Sequence, residues 1–158
     1  MDTASVWNGN WAWSLPLIVV TVIFHVIGLV FINEKVIQAM RFLSRPHKFL
    51  FAFAVVMGCG TLFAIILHGI EAGIWAGVYR LLGALPDGKS ALLYSLSAMT
   101  TYGHEPFRLA DHWQLMGALE ALNGVILFGL TTAFLYGMIR TVLATRRREV
   151  TRSRPGRQ

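Results

Sequence analysis

The chain has 158 residues, 55% of them hydrophobic and only 14% charged, against about 25% charged in an ordinary soluble domain. That deficit excludes a water-soluble fold and leaves room for one domain. The net charge of +6 is gathered in short segments flanking apolar runs, with no recognition module, which excludes nucleic acid as a partner, and the single cysteine, Cys59, excludes a disulfide framework and a tetra-ligand zinc site within one chain.

The first span is expected from Trp13 to Ile32, closed by Asn33, Glu34 and Lys35. Trp7, Trp11 and Trp13 suit an aromatic belt at one interface. Residues 1–12 contain no Lys or Arg, so this segment reads as a retained helix and not as a cleaved signal. His25 lies mid-span, either hydrogen-bonded to a neighbouring helix or serving a proton or metal. A loop is expected over 33–48, carrying Lys35, Arg41, Arg45 and Lys48.

The second apolar stretch runs from Phe49 to about Leu85. Its part from Phe49 to Leu67 has no charged residue and alone matches a hydrocarbon core of about 30 Å at 1.5 Å per residue. His68, Glu71, Trp75 and Tyr79 recur at spacings of three and four, so they share one face that turns to protein and not to lipid. That stripe is a helix-packing cluster or a proton or ion site.

Lys89 to Thr101 is apolar and helix-compatible, with Asp87 or Ser90 able to cap it, and about 20 Å long, too short to cross. It ends in Thr100-Thr101-Tyr102-Gly103-His104-Glu105-Pro106. A short helix ending in irregular backbone at membrane depth must line a cavity or be buried in protein, the signature of a re-entrant pore loop. The last span is expected from Trp113 to about Ile139, followed by a basic tail from Arg140. Lys and Arg concentrate in the 33–48 loop and in the tail, which sets three crossings with the N-terminus outside and the C-terminus cytoplasmic.

A cation crossing a bilayer exchanges its water for fixed oxygens, and a helix C-terminus adds partial negative charge. One loop cannot enclose a pore, so about four copies around an axis are implied. The run from Ala91 through Thr100-Thr101, then Trp113, Gly117 to Gly124 and Phe128 to Ala133 resembles the pore module of bacterial two-transmembrane potassium channels over about residues 75–150. The resemblance implies an all-α homotetramer in the bacterial inner membrane with outer helix, pore helix, filter and inner helix. It divides the chain into an extra helix and basic loop (1–48), a pore module (49–145) and a basic tail (146–158). It gives Thr100, Thr101, Tyr102, Gly103, His104 and Glu105 as the ion pathway and Gly124 as a gating hinge, although close helix packing is an equal use of that glycine. By helical phase from Gly124, Val125, Phe128, Thr132 and Tyr136 become the inner cavity wall.

The filter departs from the family pattern Thr-x-Gly-Tyr-Gly-Asp. Here Tyr is replaced by His104, the second Gly by Glu105 and Asp by Pro106, so the outer two carbonyl rings are not expected to form. The inner oxygens of Thr101 and Tyr102 then remain as a partial filter, with His104 and Glu105 either lining a wider mouth or turned away against Arg108. Conduction with weakened or altered selectivity for K+ or Na+, or for divalent cations, is the expected activity. A non-conducting homologue acting as a structural or regulatory subunit is the alternative. No enzymatic spacing is visible and no cofactor beyond transported cations is expected. Glu120 and Asn123, inside the last span, are expected to join His68 and Glu71 as scaffold, with Tyr94, Ser95, Ser97 or the His68 cluster as partners. Arg146, Arg147, Arg148, Arg152, Arg154 and Arg157 either touch anionic head groups or form a topology signal with a disordered end.

Overall fold

The computed structural model describes residues 3–43, 49–103 and 107–152. Four helices follow in order: α1 (Thr3–Leu43), α2 (Phe49–Leu81), the short α3 (Gly88–Met99) and α4 (Gln114–Arg152), the last led in by a 3-10 turn at Asp111–Trp113. Three stretches are long and apolar enough to cross a membrane, Val6–Ala39, Phe49–Leu81 and Asp111–Ala144. Large apolar side chains such as Val19, Ile23, Ile27, Leu62, Phe63 and Ile66 are exposed along them, as a lipid environment requires and water does not tolerate.

The long helices run up, down and up. Leu29, Ile32 and Val36 near the end of α1 pack with Phe49 and Val56 near the start of α2 and with Met138 late in α4. At the opposite end Leu17 of α1 packs with Trp75 and Tyr79 of α2 and Met116 of α4, together with Leu85, Ala91 and Leu109. Between these tiers lie Ala72, Met99 and Leu127, one from each of α2, α3 and α4. α1 packs along both α2 and α4, while α3 fills the space between α2 and α4. In lipid, apolar burial drives association weakly, so close packing and polar contacts between helices decide it.

Two boundaries differ from the sequence expectation. The loop expected over 33–48 is helical through Leu43, and the span expected to start at Trp13 is helical from Thr3 and continues past Pro16. Glu34 and Lys35 are exposed on this helix, with the Lys35 ammonium 5.2 Å from the Phe31 ring centroid. Charges mark where the hydrocarbon ends, and a helix already formed there continues into water at no polar cost. For the same reason α4 carries the basic stretch from Arg140 to Arg152 as helix, past the span end expected near Ile139. Asn10 of α1 ties the other end: its Nδ2 donates to His112 O at 2.7 Å and its Oδ1 accepts from Met116 N at 2.9 Å. A first-turn N–H of α4 is thereby capped from a different helix.

α2 ends where Gly83 takes φ +64°, with Ala84 N bonding Tyr79 O and Gly83 N bonding Arg80 O. This is a Schellman termination with glycine at the left-handed position. α3 then starts from Asp87, one of the two caps expected, whose carboxylate accepts from Ser90 N at 2.9 Å and Ser90 Oγ at 2.6 Å. The Ser90 side chain, then its backbone N–H, hold this exposed carboxyl below the usual carboxylate range. The group binds its proton less readily in the folded chain, so its contribution is complete above the ordinary carboxylate pKa and is lost as pH falls through the lower folded value. Amide exchange at Ser90 and Ala91 is expected to quicken selectively below about pH 4, and in Asp87→Ala at neutral pH.

Candidate functional site

The C-terminus of α3 repeats the Schellman pattern of α2 with one substitution. Tyr102 N bonds Ser97 O at 3.0 Å and Thr101 N bonds Ala98 O at 3.1 Å, and the left-handed residue is Thr101, at φ +56°. A β-branched residue there is strained by about 1–2 kcal/mol, where glycine, as at Gly83, is not. Gly103 follows at φ +70°, with Tyr102 between them at negative φ. Alternating the sign of φ turns successive peptide groups toward one side, whereas an extended strand points them alternately. The turn is fixed from within: Thr100 Oγ1 donates to Leu96 O at 2.7 Å and Gly103 N donates to Ser97 Oγ at 3.2 Å. Thr100, Thr101, Tyr102 and Gly103 are all exposed. A cleft of about 440 Å³ lies behind them, lined by Tyr94, Ser97, Phe107, Arg108 and Gly117 among others. His104 and Glu105 lie outside the described residues.

Two supports seat this turn. At Gly124 of α4 a Cβ would stand 2.7 Å from Met99 Cα and closer still to Met99 O, so the last turn of α3 rests on the bare backbone of α4. One helical turn earlier, the wholly buried Glu120 accepts from Tyr79 Oη at 2.6 Å and from Ser95 Oγ. Ser95 Oγ also lies 2.8 Å from Ala72 O. One carboxylate therefore joins α2, α3 and α4. Ser95 was among the partners expected for Glu120; Tyr79 belongs to the stripe expected on α2.

That stripe is buried throughout: His68, Glu71, Trp75 and Tyr79 all face the interior. It divides into two networks. Tyr79 serves Glu120, while His68 and Glu71 meet α1 and α4. His25 Nδ1 is 2.8 Å from Glu71 Oε1 and His25 Nε2 is 3.0 Å from Thr131 Oγ1. His68 Nε2 is 3.1 Å from the same Thr131 oxygen, and His68 Nδ1 faces Glu71 Oε2 at 3.3 Å. The His25, His68 and Glu71 donor atoms lie within 4.8 Å of one another. Asn123 joins neither network; its Nδ2 donates to Thr21 Oγ1 of α1 at 2.9 Å. The four residues grouped as one scaffold cluster thus occupy three places in the bundle. Thr131 and Thr21 had escaped notice, because a threonine in an apolar helix carries no signal until its partner is known.

Val125, Phe128, Thr132 and Tyr136 are exposed on α4. Phe128 also stacks on the His68 ring at 4.2 Å between centroids, 18° from parallel, which links this face to the polar centre.

Three helices long and apolar enough to cross a membrane, with Glu71 and Glu120 wholly buried between them and a fourth helix too short to cross, define a multi-span helical membrane protein. Compared with protein-family models, curated proteins and solved structures, the chain matches none.

Proposed function

We propose that four copies of this chain form a potassium-channel-like cation channel in the bacterial inner membrane, N-terminus outside, with weakened or altered selectivity. In this reading α2 is the outer helix, α3 the re-entrant pore helix and α4 the inner helix. Val125, Phe128, Thr132 and Tyr136 face the shared cavity. The observation that carries it is Thr101. A strained left-handed threonine is kept where an adjacent helix of the same chain uses glycine for the same bond pattern. Strain held at one exposed turn points to a functional demand on that backbone, and an oxygen-lined cation path is the demand that a hydroxyl-bearing residue meets and glycine does not. Above Thr101 and Tyr102 the replacement of the second glycine by Glu105 widens the path and weakens discrimination between K+ and Na+. The basic segments lie in the cytoplasm, where the Arg146–Arg148 run meets anionic head groups.

Purified chain in liposomes tests this by cation flux. Passage of both K+ and Na+ is the expected result, and K+ flux that rejects Na+ would overturn the loss of selectivity. The substitution at His104-Glu105-Pro106 favours one other reading, a non-conducting membrane subunit, which silence toward every cation with tetramers intact would select. Thr101→Gly is expected to raise stability by about 1 kcal/mol, or about 3 °C in Tm for a chain of this size. The same variant is expected to change the flux.

A further inference from the structure

We infer that His25, His68, Glu71 and Thr131 form a proton-binding site at the centre of the bundle, which holds one proton more than an ionised Glu71 and two neutral imidazoles supply. The count follows from the contacts. Four close pairs join these groups: each imidazole Nδ1 to one oxygen of Glu71, at 2.8 and 3.3 Å, and each Nε2 to the Thr131 hydroxyl, at 3.0 and 3.1 Å. Each pair needs one proton between its atoms. Two neutral imidazoles and one hydroxyl bring three.

With three protons, one Nδ1 must meet a carboxylate oxygen lone pair to lone pair, and the cluster keeps a net negative charge inside the bundle. Within the cluster His68 Nδ1 and Glu71 Oε2 are the two atoms left without a hydrogen bond, and they face one another. A fourth proton, carried on an imidazole or on the carboxyl, closes all four pairs and makes the cluster neutral. Among the described residues no other charge competes for this role. The nearest other carboxylate, lysine or arginine along α1, α2 and α4 is Glu34, Arg80 and Arg140, each nine residues or about 13 Å of helix rise away. Tyr136, five residues beyond Thr131, is exposed, and α3 carries no charged residue besides Lys89 at its far end. The ligand is the proton itself, reaching one site shared by all three long helices.

Glu71→Gln separates this site from a structural one. The amide offers one donor and one acceptor, so the same four pairs close with both rings neutral and no added proton. Full-length chain in lipid bilayers, labelled with 15N-histidine and 13C-glutamate, is examined by solid-state NMR at pH 7.5 beside Glu71→Gln. The expected difference is one proton equivalent, an imidazolium or a carboxylic acid signal present in the native chain and absent from the variant. A native chain with ionised Glu71 and both rings neutral would overturn the proposal. So would retention of one equivalent of Zn2+ after dialysis by the native chain and not by Glu71→Gln, which assigns the missing positive charge to a metal. If Glu71→Gln does not fold, the native chain decides alone: an imidazolium or carboxylic acid signal from the cluster at pH 7.5 supports the site, and its absence overturns it. A second readout rests on the channel reading. Because Phe128 lies on the His68 ring, flux is expected to vary with pH in the native chain and not in Glu71→Gln. Its failure alone, with the spectroscopic result intact, counts against the channel and leaves the proton site standing.

Discussion

A Gly124→Ala chain is expected to lose about 3 kcal/mol of stability, toward the upper end of what overpacking costs, and to lose the seating of α3 with it. The new methyl would meet the Met99 carbonyl and Cα, which belong to a helix backbone and cannot rotate aside as a side chain can. Either α3 withdraws from α4 or α4 bends. Both moves displace the Thr100–Gly103 turn, so cation flux is expected to disappear as well. Gly129→Ala and Gly137→Ala serve as controls, because nothing stands within 4 Å of a Cβ at either position. Thermal unfolding in detergent distinguishes the two uses proposed for Gly124. A hinge that matters only for gating leaves Tm unchanged, whereas a packing contact lowers it by about 9 °C at 3 kcal/mol.

Glu120→Ala is expected to cost about 3 kcal/mol or more, since it strands the Tyr79 hydroxyl inside the protein, leaves Ser95 Oγ with Ala72 O alone, and opens a void between three helices. Glu120→Gln is expected to be close to neutral. Its amide oxygen accepts from Tyr79, and its NH2 donates to Ser95 Oγ, which frees the serine proton for Ala72 O. Tyr79→Phe removes one bond, about 1 kcal/mol. If the pair acts as the geometry indicates, Glu120→Ala and Tyr79→Phe are non-additive in a double-mutant cycle. Full additivity would show that Glu120 is held by something other than Tyr79.

The span positions and the interior face of α2 were legible in the sequence because both are local properties: apolar length, and polar residues recurring every three or four positions. α1 carries a comparable signal in Asn10, Ser14, Leu17, Thr21, His25, Leu29, Ile32 and Val36, all buried and each three or four residues from the next. Its polar members are broken by Leu17 and give way to Leu29, Ile32 and Val36, so the stripe does not stand out as His68 to Tyr79 does. Helix ends were misplaced wherever charge was taken as a stop, at Glu34 and Arg140, since charge reports solvent and not backbone. The partners were beyond reach for a different reason. His25 meets Glu71 across 46 residues and Thr131 across 106, and only the crossing of three helices brings them together. The left-handed backbone at Thr101 was equally hidden, because a β-branched residue rarely takes positive φ.

The tie between His25 and Glu71 also bears on how the chain enters a membrane. Helices emerge from the ribosome in order, so α2, with Glu71 inside its apolar stretch Phe49–Leu81, reaches the bilayer before α4 and Thr131 exist. An unpaired charge at a helix centre costs about 3 kcal/mol on insertion scales. α1 is already there, and it presents His25 opposite that carboxylate. The first helix thus offers the carboxylate of the second a hydrogen-bonding partner before the third long helix is made.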